Sequence, residues 1–178
     1  RTICFNFQAL ETEFWAAGKL AISEGLAAGG AKVLEFNSNE DANRQLEQIK
    51  DCITQNADGI IFIPQDGASA DTVIKTANEA DVPVVAFNRP PASDTGNAIV
   101  VVADNRAIAK QTVEYLVSEA RKQFEAGGKK LTPLIMVGDL ADVNAVGRRD
   151  GFYDAMEGND DIFEKVIEVE TKWDATTA

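Results

Sequence analysis

The fold class follows from one segment, residues 38–64, which reads SNEDANRQLEQIKDCITQNADGIIFIP. Its first half has apolar residues at positions 42, 46, 49 and 53, a spacing that places them on one face of a helix. Ser38 and Asp41 resemble a capping box, which predicts where this helix begins. Its second half, Gly59–Ile63, is an unbroken apolar run closed by Pro64, typical of a strand buried on both faces. The segment therefore predicts a helix followed by a buried parallel strand.

The same alternation extends outward in both directions. Further short apolar runs predict strands at residues 2–7, 32–36, 82–87, 98–102, 134–137 and 166–169. Helical spacing separates them, and the first helix has a stripe of mainly small residues at Phe14, Ala17, Ala21, Gly25 and Ala28. We expect that stripe to let the helix approach a sheet closely. Strands alternating with helices predict an α/β chain with a doubly wound parallel sheet covered on both faces.

The strands are unevenly distributed along the chain. The first five suffice for one sheet, whereas two follow residue 105, and two isolated parallel strands seldom make a stable sheet. Either the two later strands extend the first sheet or further strands are missing, and we favour truncation. The first strand begins directly after Arg1, so we expect any export signal to have been removed.

Composition excludes several classes of protein. The 178 residues are 45% hydrophobic, without an apolar run near the length of a bilayer span, which predicts a soluble globular chain. A formal charge of -12 repels phosphate backbones, so we expect no nucleic-acid partner. The chain has no His, the commonest general base and metal ligand. No metal-ligand spacing or phosphate-binding glycine loop is present, so we predict neither metal site nor cofactor.

The two cysteines, Cys4 and Cys52, match no metal or redox spacing. Cys4 lies in an apolar strand, and Cys52 lies on the apolar side of a helix pattern. Both positions predict burial, and we favour two reduced thiols over a disulfide.

In an open parallel sheet the ligand crevice lies outside the carboxyl ends of the strands. Two candidates follow strands there. Phe14 and Trp15 offer flat rings that could stack on the C–H face of a sugar, the alternative being core packing. Asn88 and Arg89 offer rigid donors and an acceptor before a stiff pair of prolines, the alternative being a solvated loop.

Two further candidates follow later strands. Asp104 offers a carboxylate acceptor at the entry to a helix, where its alternative role is a helix cap. Asn144, Arg148 and Arg149 lie in a loop-to-helix segment, where adjacent arginines could instead form surface ion pairs.

The ordered set of motifs resembles the ribose-type periplasmic sugar-binding proteins of ABC importers. The motifs that carry the resemblance are Phe14–Trp15, Gln45–Ile49, Gly59–Pro64, Val82–Arg89, Ala103–Asn105, Arg148–Phe152 and Trp173–Asp174. The resemblance implies two similar α/β lobes joined by crossover strands, with a sugar in the cleft between them. The chain would cross between lobes near Asp104, which implies an N-terminal lobe at residues 1–104 and the beginning of a C-terminal lobe, truncated, at residues 105–178. It further implies a permease partner, a periplasmic or extracellular location and a monomeric protein.

The resemblance also implies roles for single residues. Phe14 or Trp15, together with Trp173, would stack on the sugar; Arg89 and Arg148 would donate to its oxygens; Asp104 would line the cleft or hinge. Two positions depart from the family pattern, because most relatives have Asp where this chain has Asn88, and many have Asn in place of Ile63. An amide can donate as well as accept, so the departures favour another pentose, a hexose or a sugar alcohol over ribose.

The leading hypothesis is a binding protein that captures a monosaccharide or sugar alcohol without altering it. The alternatives are the effector-binding domain of a lac-repressor-like transcription regulator and a sugar-sensing ectodomain. A regulator should begin with a basic helix-turn-helix segment, whereas this chain is acidic and starts on a strand. We do not expect an enzyme, since no carboxylate pair has a recognisable spacing.

Overall fold

The computed structural model describes residues 1–10, 12–94, 96–174 and 176–177. The chain divides into two compact units, Arg1–Val102 and Ala103–Ala178, called unit 1 and unit 2 below. Sequence placed the boundary two residues later, after residue 104.

Unit 1 contains one parallel sheet of five strands, in the order β2-β1-β3-β4-β5. Its elements are β1 (Thr2–Phe7), α1 (Glu13–Ala28), β2 (Lys32–Asn37), α2 (Ala42–Thr54), β3 (Gly59–Phe62), α3 (Gly67–Glu79), β4 (Val84–Phe87) and β5 (Ile99–Val101). The prediction of a parallel α/β sheet is confirmed. Strand β4 starts later than predicted, after Pro83, which lacks a backbone N–H for the ladder.

The sheet of unit 1 has a different core on each face. Helices α2 and α3 cover one face with a fully apolar cluster that includes Ile49, Ile60 and Phe62. The opposite face buries Phe5, Phe7 and Ile63, with Trp15 and Ile22 of α1 packed against them. Side chains alternate between the two faces along each strand, so a strand that is buried on both faces has apolar residues at successive positions.

The predicted sheet-facing stripe of α1 is wrong. Phe14 is 60% exposed, and the small residues Ala17, Ala21, Gly25 and Ala28 are exposed with it. The helix instead packs through Trp15 and Ile22, seven residues apart and therefore on one face, because these larger side chains remove more apolar area from water than alanine does.

Helix α2 begins as predicted, but its cap differs from the prediction. Asp41 is the N-cap, and its carboxylate accepts hydrogen bonds from the backbone N–H groups of Asn43 at 2.8 Å and Arg44 at 2.9 Å. Ser38 is instead buried, where its hydroxyl donates to the carbonyls of Phe7 and Gln8, each at 3.3 Å. The hydroxyl thus ties the end of β2 to the end of β1 and does not cap the helix.

The expectation of two reduced thiols is also wrong. Both cysteines are fully buried as predicted, but Cys4 and Cys52 form a disulfide. The physical reason is the packing of α2 on β1, which brings the buried face of the helix against the buried face of the strand. A separation of 48 residues conceals this proximity in the sequence.

Unit 2 contains α4 (Asn105–Glu125), β6 (Leu134–Val137), α5 (Val143–Met156) and β7 (Ile167–Glu170). Strands β6 and β7 pair in parallel as a two-stranded sheet of their own. Helices α4 and α5 approach closely at Gly151, where an added Cβ would overlap the carbonyl oxygen of Arg106. The core of this unit is formed by Val117, Ala120 and Ile162.

In the part of the chain that the structure describes, none of the helices is long and apolar enough to cross a membrane.

Candidate functional site

The carboxyl edge of the unit 1 sheet brings together residues that are distant in sequence. Strands β1, β3 and β4 are neighbours in the sheet, and Gln8, Pro64 and Arg89 follow their ends. All strands of a parallel sheet end on one edge, so these residues meet there. This is the edge at which ligands bind in open α/β sheets.

Arg89 is the centre of this edge and is only 7% exposed. Its Nη1 donates to the side-chain oxygen of Gln8 and, at 3.0 Å, to the carbonyl oxygen of Pro64. Its guanidinium carbon lies 5.9 Å from the ring centroid of Trp15, within cation–π range. One side chain that follows β4 therefore links the ends of β1 and β3 and contacts an aromatic ring of α1.

Asn88 has a backbone conformation that few residues adopt. Its φ is 71°, in the left-handed region that Asn and Asp tolerate better than other non-glycine residues. The turn is closed by a hydrogen bond of 2.9 Å from the N–H of Arg89 to the carbonyl of Phe87, and the N–H of Asn88 donates to Val101 of β5 at 2.8 Å. The sharp turn is what directs Arg89 back over the sheet edge.

The adjacent aromatic residues have different surroundings. Trp15 is half-buried against the core and lies over Arg89. Phe14 is largely exposed and packs edge-on against Trp15, with 4.9 Å between ring centroids. The structure therefore brings Trp15 together with Arg89 and leaves Phe14 at the surface.

A row of three amide side chains, Asn6, Gln45 and Gln48, lies at the same edge, and we call it the amide row. Gln45 Nε2 donates to Asn6 Oδ1 at 2.9 Å and to the carbonyl oxygen of Ile63 at 2.8 Å. Asn6 Nδ2 donates to Gln48 Oε1 at 2.8 Å, and Gln48 Nε2 donates to the carbonyl oxygen of Asn37 at 2.9 Å. The row thus joins β2, β1 and β3 in sheet order.

Sequence reasoning missed the amide row and Gln8. A signal was present, because Asn6 lies between two phenylalanines of an apolar strand and Gln8 directly follows that strand. Buried polar side chains must find hydrogen-bond partners, so an amide in such a strand marks a specific contact.

In unit 2 the structure places Asp104 as the N-cap of α4, where its carboxylate accepts from the N–H of Ala107 at 2.9 Å. This is the capping role that the sequence left open as an alternative. The next residue, Asn105, donates through Nδ2 to Asn144 Oδ1 at 2.9 Å, and both amides are buried. Asn144 is thus brought together with the start of α4.

Arg148 and Trp173 form the second arginine–tryptophan pair of the molecule. The guanidinium carbon of Arg148 lies 5.7 Å from the ring centroid of Trp173, which is 51% exposed. Trp173 follows β7 with a φ of 62°, and its indole lies so close to Gly138 that an added Cβ there would overlap the ring. Gly138 follows β6, so the pair lies at the carboxyl edge of the unit 2 strands.

Arg149 forms an ion pair, as the sequence alternative allowed. Its Nε donates to Glu168 at 2.9 Å, and the hydroxyl of Tyr153 donates to the same oxygen at 2.7 Å. The hydrogen bonds from Tyr153 and Arg149 lower the pKa of Glu168 below its ordinary value, and the same carboxylate raises the pKa of Tyr153.

Within the described ranges of the chain, no group of three or more acidic or cysteine side chains is arranged to hold a metal ion. The carboxyl edge of the unit 1 sheet has instead a buried arginine, amides and an aromatic ring, which can hydrogen-bond and stack on a neutral polar ligand.

Residues 3–178 match the periplasmic binding protein domain family. The chain belongs to this family. The family resemblance inferred from the motifs is confirmed, and with it the α/β fold class. Curated relatives that match this chain include proteins named for the sugars they bind. The ribose import binding protein of Bacillus subtilis is 27% identical over 104 residues, which are 58% of this chain and 33% of that protein. The D-xylose-binding periplasmic protein of Haemophilus influenzae is 30% identical over 49% of this chain and 26% of its own length.

Solved structures of solute-binding proteins share the fold. An ABC transporter solute-binding protein of Mycobacterium smegmatis with bound glycerol is 25% identical, with a TM-score of 0.81, covering 95% of this chain and 55% of that one. A periplasmic solute-binding protein of Actinobacillus succinogenes with bound D-allose has a TM-score of 0.86 at 15% identity, covering 99% of this chain and 61% of that one. The chain thus spans little more than half the length of these structures, and its matches cover a third or less of the curated relatives.

Proposed function

We propose that the full-length protein binds a monosaccharide or a sugar alcohol and delivers it, unaltered, to the membrane permease of an ABC transporter. The observation that carries the proposal is the buried Arg89, held against the ring of Trp15 at the carboxyl edge of the unit 1 sheet. Relatives that bind ribose and xylose, and a structure with bound glycerol, support a polyhydroxylated ligand. The protein acts as a monomer.

Each unit contributes its own ligand groups in this proposal. In unit 1, the N-terminal lobe, Arg89 and Asn88 hydrogen-bond to hydroxyl groups, and Trp15, with Phe14 beside it, presents an apolar ring face.

In unit 2, the beginning of the C-terminal lobe, Trp173 stacks on the ligand and Arg148 donates to it. Asp104 keeps its capping bond and offers its second carboxylate oxygen, and Asn144 supports the same region. Both units thus supply a ring and an arginine, the combination that suits a sugar with one apolar face and several hydroxyl groups.

The disulfide supports an exported protein with its signal peptide removed, in the periplasm or outside the cell. Disulfides persist in oxidising compartments and are rare in the reducing cytosol, where a lac-repressor-like regulator would work. The Cys4–Cys52 bond therefore favours the transport protein over that regulator.

The test is calorimetric titration of the full-length protein with a panel of pentoses, hexoses and alditols. We expect at least one member to bind, and mass spectrometry of the ligand recovered from the complex should show it unchanged. Asn88→Asp is the companion variant, because restoring the carboxylate should change the ranking of the sugars more than it changes stability. Absence of binding across the panel, or a chemically altered ligand, would contradict the proposal.

A further inference from the structure

We propose that Gln45 is a positioning residue for the ligand site of unit 1, acting on Arg89 through the backbone of Ile63 and Pro64. The inference rests on the proposed function. Gln45 is fully buried in α2, and both hydrogen bonds of its Nε2 end on groups of the sheet edge.

The side chains of Gln45 and Arg89 bind the same short backbone segment. Gln45 Nε2 binds the carbonyl oxygen of Ile63 at 2.8 Å, and Arg89 Nη1 binds the carbonyl oxygen of Pro64 at 3.0 Å. These carbonyls belong to consecutive residues. The proline ring restricts φ at the second of them, so a displacement at Ile63 passes to the Pro64 carbonyl with little local adjustment.

Position 45 has an amide side chain on an otherwise apolar face of α2. The same face of α2 is otherwise buried through Ile49 and Cys52, four and seven residues further on. An apolar side chain would fill such a position without the desolvation cost of a buried amide. The amide therefore has a geometric role, because its directional hydrogen bond fixes the distance between α2 and the end of β3.

The helix that carries Gln45 is itself attached to the sheet. The Cys4–Cys52 disulfide attaches α2 to β1 two turns beyond Gln45, and Asn6, on the same strand and face as Cys4, accepts from Gln45 itself. Helix α2 is thus fixed to β1 at two points. The bond to Ile63 transmits that fixed position to the strand end next to Arg89.

The test compares two variants of the full-length protein, Gln45→Met and Gln48→Met, in titration with the sugar that binds best. Each substitution removes two hydrogen bonds of the amide row, but only Gln45 contacts the carbonyl of Ile63. We expect Gln45→Met to weaken binding about tenfold and Gln48→Met less than about twofold, with both folded by circular dichroism.

A double-mutant cycle separates positioning from a general loss of stability. In an Arg89→Met background, Gln45→Met should change affinity less than about twofold, because the residue through which it acts is gone. Equal effects of the two glutamine variants, or full additivity with Arg89→Met, would overturn the inference.

A measurement without ligand keeps the inference distinguishable from the proposed function. The indole N–H resonance of Trp15, assigned with Trp15→Phe, reports on the guanidinium next to the ring. Gln45→Met should shift it and Gln48→Met should not. An unshifted resonance overturns the positioning role even if no sugar binds, whereas a wild-type protein that binds no sugar fails the proposed function alone.

Discussion

Arg89 of unit 1 and Arg148 of unit 2 each lie against a tryptophan ring, at 5.9 and 5.7 Å, yet the two pairs are built differently. Arg89 is buried, and its partner Trp15 packs into the core. Arg148 is exposed, and Trp173 is half exposed on a loop with left-handed backbone.

The contrast indicates in which unit ligand affinity and folding stability depend on the same residues. In unit 1 the guanidinium is held by Gln8 and by a backbone carbonyl, so the groups assigned to the ligand are also part of the folded core. In unit 2 the pair rests on a helix surface and a loop. We therefore expect substitutions in the first pair to alter binding and folding together, and substitutions in the second to alter binding alone.

The largest effect is expected for Arg89→Met in the full-length protein. It removes a charge-assisted donor, a type of contact that contributes about 1.5–3 kcal/mol, so ligand affinity should fall roughly ten- to a hundredfold. Gln8 and the Pro64 carbonyl also lose a partner, which should lower the free energy of unfolding by about 1–3 kcal/mol. Calorimetry and urea denaturation measure the two quantities.

The control for Arg89 is Lys75→Met, because Lys75 forms an exposed ion pair with Glu79 on α3 of the same unit. That variant should bind and unfold nearly as wild type does. Wild-type affinity of a folded Arg89→Met protein would remove Arg89 from the site and leave the aromatic rings as its main support.

The second prediction compares the tryptophans directly. Trp15→Leu should weaken binding about tenfold and also lower the free energy of unfolding, by up to about 2 kcal/mol, because part of the ring packs on Phe5, Phe7 and Ile63. Trp173→Leu should weaken binding by a similar factor with little change in stability, since its ring is half exposed. If both variants lose the same stability, the contrast between the pairs is wrong.

The sequence predicted the strands and helices next to the two arginine–tryptophan pairs better than it predicted the residues that surround the pairs. The strands could be located because apolar runs and helical spacing are local patterns, and the residues after strands could be singled out because parallel strands end on one edge. Arg89 and Trp15 were singled out in this way. The burial of Arg89 was not predicted, since it depends on Gln8 and Pro64, which meet Arg89 only when β1, β3 and β4 are neighbours.

The errors have the same origin. The stripe from Phe14 to Ala28 is a valid helical face, but the sheet selects between two faces of α1, and Trp15 and Ile22 bury more area. The thiols of Cys4 and Cys52 were each predicted to be buried, and their bond follows from which helix covers β1. A single sequence contains the periodicity of each element but not the pairing of elements.

The smallest effect is expected next to Arg148, at the ion pair of Arg149 and Glu168. The bonds from Tyr153 and Arg149 hold the pKa of Glu168 below its ordinary value of 4.5. A carboxyl whose pKa is lower in the folded protein than in the unfolded chain stabilises the fold at pH values above the unfolded pKa. This contribution is lost as pH falls through the folded pKa. Glu168→Gln should therefore flatten the acid side of the stability–pH curve below pH 4.5 and leave ligand affinity near wild type. Glu164→Gln, at an exposed position of the same unit, removes an equal charge and serves as the control. A large loss of affinity in Glu168→Gln would show that the ion pair orients Arg148 as well as Arg149, and the arginine pair of unit 2 would then be as dependent on supporting contacts as that of unit 1.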